Sequence, residues 1–123
     1  MDTRPVHLNL FKIYFPNTAI ASILHRVSGV IIFLLIPMFL WMLQATLSSP
    51  QEFESMRECL TSPWGKLFIW GGLSALAYHL IAGIRHLIMD CGVGESKEAG
   101  RRTAWLVMII SFLAIVTLGY YIW

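Results

Sequence analysis

Charge is scarce in this sequence. Lys and Arg number 9 and Asp and Glu 7 among 123 residues, so charged side chains make up 13% of the chain, about half the share of an ordinary soluble domain. Cysteine is scarcer still, with two residues and no C-x-x-C pair, which argues against a disulfide scaffold, a zinc module or an iron–sulfur site in this chain. The net charge is only +2 and no basic tract stands out, so nothing points to nucleic acid. No internal repeat or low-complexity segment is visible. What is abundant is apolar: 57% of the residues are hydrophobic, and the three runs 27–47, 67–84 and 103–123 contain no charged residue at all. Each is close to the ~20 residues that cross a ~30 Å hydrocarbon core. The expected fold is an all-α membrane protein with three transmembrane helices, in a single integral domain over residues 1–123. The first run follows Arg26 and exceeds the ~7–15 residues of a signal-peptide core, so it is expected to be retained.

The few cations are unevenly placed. Arg4, Lys12 and Arg26 precede the first span, and Arg85, Lys97, Arg101 and Arg102 lie between the second and third. The first loop has only Arg57 and Lys66, beside Glu52, Glu54 and Glu58. Under the positive-inside rule the N-terminus and the second loop face the cytoplasm or a mitochondrial matrix, and the first loop and the C-terminus face the opposite side. Cys59 and Cys91 then lie on opposite sides of the membrane, beyond the ~7 Å Cα separation a disulfide allows.

Within this layout residues 1–17 read as an irregular strap on the inner surface, interrupted by Pro16. Helices are expected at about 18–47, 64–89 and 97–123, with Thr18 as the first N-cap and Pro63 at the start of the second span. A short helix is expected around 51–60. Residues 90–96 form a polar turn containing glycine. Pro37 should bend helix one. Trp41, Trp64, Trp105, Tyr120, Tyr121 and Trp123 mostly fall near span ends, as an interfacial aromatic belt does.

One polar residue sits deep in the apolar runs. His79 lies ten residues before Met89, roughly 15 Å in from the helix end at ~1.5 Å per residue. A polar side chain at that depth needs a partner, a cavity or a cofactor. Position alone leaves two readings: a hydrogen bond to a neighbouring helix, or axial ligation of haem iron by neutral imidazole. Gly72, Ala75, Ala82, Gly83 and His86 share its face, and such small residues either leave room for a flat macrocycle or allow close helix packing. His86 is two turns away on the same helix and cannot clamp the same iron. His25, near the inner end of helix one, reads as too shallow to do so. A second haem-ligating histidine must therefore come from another chain.

A second cluster lies at the inner end. Ser22, His25 and Arg26, with Gly29 following at i+7, share one face of helix one, and antiparallel helix two brings Arg85 and His86 to that depth. Basic residues there commonly anchor topology. Serine and arginine on one face can also hydrogen-bond a quinone carbonyl and stabilise the negative charge that develops on reduction.

The stretch from Arg4-Pro5 through Ser22-Ile-Leu-His25-Arg26-Val-Ser28, followed by His79-Leu-Ile-Ala-Gly83-Ile-Arg85-His86-Leu-Ile-Met-Asp90, resembles the two signatures of the cytochrome b membrane-anchor subunits of succinate dehydrogenase, of the bacterial type. The resemblance implies one half of a heterodimeric haem-binding helix bundle in the bacterial inner membrane, with N-terminus cytoplasmic and C-terminus periplasmic. It implies as partners a second membrane-anchor subunit, together with an iron–sulfur subunit and a flavoprotein that oxidises succinate. It further implies His79 as an axial ligand of haem b, the other ligand coming from the second membrane anchor, and Ser22 and Arg26 at the ubiquinone site. His25, Arg85 and His86 would lie by the haem propionates, and Asp90 would help organise the site. Three alternatives remain: a purely structural anchor without a redox role, an anchor of a quinol:fumarate reductase, and a small transporter subunit. The last is disfavoured because the spans lack carboxylates.

Overall fold

The computed structural model describes residues 16–123. The expected strap over 1–17 therefore lies outside the described residues, apart from Pro16 and Asn17. Four helices follow in order: α1 (Asn17–Ser48), α2 (Pro50–Thr61), α3 (Pro63–Asp90) and α4 (Lys97–Ile122). Among the described residues there is no strand. Helices α1, α3 and α4 are long and apolar enough to cross a membrane, and α2 is the short helix expected between the first two spans. The protein is a multi-pass membrane protein.

The helix boundaries follow from local chemistry. Ser49, Ser62 and Ser96 each sit in extended conformation and accept from a backbone N–H three residues on, capping α2, α3 and α4. Pro50 and Pro63 occupy the first helical positions, where no amide hydrogen is needed. Thr18 does not cap α1. The helix begins one residue earlier, after extended Pro16, with no side-chain cap; the ring of Pro16 already fixes the entry conformation. Pro37 lies inside α1, which continues through it to Ser48.

The chain leaves α3 through a Schellman turn. Gly92 N–H donates to the Met89 carbonyl (2.8 Å) and Val93 N–H to the Ile88 carbonyl (3.3 Å). Gly92 takes φ +80°, which a side chain would strain.

The helices meet through small residues. Ala21 and Ser28 of α1, Ala82 of α3, and Ala104, Val107 and Ser111 of α4 are buried, while large apolar side chains such as Phe33, Leu47 and Phe112 point outward. Hydrocarbon is as good a solvent for leucine as another leucine, so close backbone approach holds such helices together. Gly72 shows this directly: a Cβ there would meet Leu35 and Phe39 of α1. Two polar ties join α3 to α4. Trp70 donates its indole N–H to the Ile115 carbonyl (2.9 Å), and Arg85 donates to Thr103 Oγ1 (3.0 Å) and to the Gly100 carbonyl (3.1 Å).

Candidate functional site

Three imidazoles stack along the seam between α1 and α3. His25 of α1 lies between His79 and His86 of α3, its ring centroid 4.2 Å from the first and 4.8 Å from the second, with interplanar angles of 21° and 20°. Two helical turns separate His79 from His86 and place both on one face. The ring from the antiparallel neighbour fits between them.

The expectation that His25 is too shallow to meet His79 at one iron does not extend to the rings themselves, which stack. Distance from the helix ends overstated the gap because it ignored how closely the backbones approach. Gly29 faces the His79 ring, where a Cβ would lie 3.0 Å from Cε1, and Gly83 faces His25, where a Cβ would lie 3.4 Å from Nε2. A glycine opposite each ring lets α1 and α3 close on the pair. Rings stacked face to face still cannot bind one iron from opposite sides, because each lone pair points along its own ring plane.

The hydrogen bonds of His79 fix its tautomer. Its Nδ1 lies 3.1 Å from the His25 carbonyl oxygen and 3.2 Å from Ser28 Oγ. A carbonyl oxygen can only accept, so Nδ1 carries the proton and donates it. Ser28 donates its own hydroxyl to the same carbonyl (2.7 Å), which leaves its oxygen lone pairs facing Nδ1. In the neutral ring Nε2 is then the nitrogen with the free lone pair, and it has no hydrogen-bond partner among the described residues. The same logic applies to His86, whose Nδ1 donates to the Ala82 carbonyl (2.8 Å) one turn back. His25 differs: its Nε2 is buried without a partner. Among the described residues nothing pairs with it, and it faces the Gly83 backbone.

The small-residue face of α3 turns out to serve packing. Gly72 packs on Leu35 and Phe39, Gly83 on His25, and Ala82 is 1% exposed.

Ser22 is half-buried and Arg26 exposed, one turn apart on α1. Neither makes a hydrogen bond or ion pair with another described residue. Tyr78 donates to the Ala21 carbonyl (3.0 Å), tying α3 to the backbone beside Ser22. Arg85 lies instead on the α3–α4 side, held by Thr103 and Gly100, and lines a cleft of about 940 Å³ with Asn17, Lys97, Arg101 and Trp105. None of Ser22, His25, Arg26, His79 or His86 lines that cleft. Asp90 is exposed at the end of α3. Ser28 and Gly29 are participants to which the sequence assigned no role, although Gly29 was already placed on the face of Ser22, His25 and Arg26. Their signal was their position, three and four residues after His25, which puts them one turn along its face.

The family described as succinate dehydrogenase/fumarate reductase transmembrane subunit matches residues 1–118. A succinate dehydrogenase cytochrome b556 subunit of Coxiella burnetii is 46% identical over 121 residues, covering 98% of this chain and 97% of that protein. The cytochrome b556 subunit of Paracoccus denitrificans is 34% identical over 113 residues, with 91% and 85% covered. The cytochrome b560 subunit of Reclinomonas americana is 36% identical over 118 residues, with 89% and 80% covered.

Proposed function

The chain belongs to the succinate dehydrogenase/fumarate reductase transmembrane-subunit family, and from that membership we propose that it anchors a succinate dehydrogenase in the bacterial inner membrane, shares a b-type haem with a second membrane subunit and helps to build the site of ubiquinone reduction. The names of the three relatives favour succinate dehydrogenase over fumarate reductase. On this reading the second membrane anchor, an iron–sulfur subunit and a flavoprotein complete the complex, and succinate is oxidised on the flavoprotein. The N-terminus and the α3–α4 turn face the cytoplasm, as the distribution of Lys and Arg favours.

The observation that carries the proposal is the state of His79. An imidazole with Nδ1 engaged by a carbonyl and Nε2 without a described partner suits an iron ligand, because a metal-bound histidine normally donates its other ring nitrogen to a carbonyl or carboxylate. His25 stacks between His79 and His86, and its Nε2 would serve as a propionate donor only after moving out from against Gly83. His86 lies two turns nearer the inner end, beside His25. Arg85 would reach a propionate only by giving up its bonds to α4. When bound, the haem supplies a one-electron redox centre and a link between the two membrane subunits.

Quinone reduction places negative charge on carbonyl oxygens before protons arrive. The Arg26 guanidinium, free of other described partners, stabilises that charge, and the Ser22 hydroxyl one turn away orients a carbonyl by hydrogen bonding. The two protons come from the inner side.

The test is a dithionite-reduced minus oxidised spectrum of the detergent-purified complex, co-expressed with its partners, as wild type and as His79→Leu. A b-type signal lost or displaced in the variant supports the ligand. A wild-type complex without haem absorbance would leave a structural anchor as the better account. Quinone reductase activity unaffected by Ser22→Ala and Arg26→Leu in an assembled complex would remove the quinone assignment.

A further inference from the structure

Helix α1 supplies no ligand in this reading, yet it grips the ligand from three directions. Its His25 carbonyl and Ser28 hydroxyl both face Nδ1 of His79, at 3.1 and 3.2 Å. Its His25 ring stacks on the imidazole face. Its Gly29 backbone closes on Cε1. Ser28 is 5% exposed, so its hydroxyl faces protein and has little competition from water.

We propose that Ser28 is a positioning residue for the haem ligand: with the His25 carbonyl it holds His79 as the Nδ1–H tautomer, and by accepting from that N–H it raises the electron-donating strength of Nε2. The inference rests on the reading of His79 as an axial ligand and adds to it a residue that touches neither iron nor quinone. The physical argument has two steps. The carbonyl alone selects the tautomer, because an unprotonated Nδ1 would set two lone pairs against each other at 3.1 Å. The serine then shares the proton. Its hydroxyl hydrogen is committed to the His25 carbonyl at 2.7 Å, so towards Nδ1 it can only accept. An acceptor on the far nitrogen makes the near nitrogen more basic and the bound metal more electron-rich. That favours the ferric over the ferrous state.

The experiment compares the co-expressed, purified complex as wild type, Ser28→Ala, Ser28→Thr and His79→Leu. Haem per complex, the haem midpoint potential and the rate of haem loss to a scavenging apoprotein are the readouts. In Ser28→Ala the haem should remain, with its potential moved upward and its loss accelerated roughly 10-fold, the lower end of the effect of removing an outer-shell partner. Ser28→Thr keeps the hydroxyl and should return the potential towards wild type, which a purely structural role for Ser28 would not require. Should Ser28→Ala not assemble, Ser28→Cys provides a small side chain with a weak acceptor and the same upward shift is expected. Loss of haem in His79→Leu together with an unshifted potential in the alanine or cysteine variant would overturn the role of Ser28 and leave the ligand in place. A His79→Leu complex with the wild-type haem spectrum would overturn the ligand and this inference with it.

Discussion

Gly29→Ala tests the seam most directly. The added Cβ would lie 3.0 Å from His79 Cε1, where ordinary contact begins at 3.4 Å, so the ring must yield by at least 3.4 − 3.0 = 0.4 Å. Retreat away from α1 would stretch the 3.1 Å bond from Nδ1 to the His25 carbonyl to about 3.5 Å, the limit at which it stops counting as a hydrogen bond. Overpacking of this kind costs about 1–3 kcal/mol, against a gain of about 1 kcal/mol from replacing glycine by alanine inside a helix. The net, about 0–2 kcal/mol, predicts only a modest fall in melting temperature. On the proposed ligation of haem by His79, the haem should feel it more strongly, because the displaced ring loses its acceptor and its alignment together. In the purified complex the expected result is less haem per complex and a displaced low-spin electron paramagnetic resonance signal, at near-normal assembly. Wild-type haem content and an unshifted signal in Gly29→Ala would refute the close approach of α1 to His79.

Three further outcomes follow from other contacts. Gly65→Ala should prevent α2 from seating on α3, because its Cβ would overlap the Cys59 carbonyl and the Leu60 backbone, which cannot swing aside; a drop in assembled complex on size-exclusion chromatography checks this. Trp70→Phe removes the donor to the Ile115 carbonyl and should lower stability by about 0.5–1.5 kcal/mol, read as a lower thermal transition with unchanged haem absorbance. Arg57→Ala removes an exposed pair with Glu54 and should change stability by less than about 1 kcal/mol, a contrast that thermal unfolding in the same detergent would show.

Much of the architecture was legible because the membrane imposes a one-dimensional code. The charge-free runs 27–47, 67–84 and 103–123 give the three spans, and Pro63 marks the start of the second, since proline fits the first turn. His79 stood out for the same reason: any polar atom at that depth demands an explanation. Relations between helices were not legible. The length of α1 before His25 and of α3 after His79 gave a depth for each ring, but whether the rings touch depends on the glycines opposite them. The role of Ser28 depends on a carbonyl, which the sequence does not display. Arg85 was grouped with the histidines by depth alone; its azimuth, one residue from His86 and so about 100° around the helix, sends it to α4 instead.

The bond from His79 to the His25 carbonyl also bears on how such a chain is made. Helices enter a bilayer largely as individual units and pack afterwards, and α1 precedes α3 in the order of synthesis. When His79 arrives in hydrocarbon, the backbone oxygen that accepts from its Nδ1 is already there. A polar group left bare in lipid costs several kcal/mol, and this arrangement reduces two such groups on the ring to one. The His79 ring can therefore wait in the bilayer with one unmet nitrogen where it would otherwise have two.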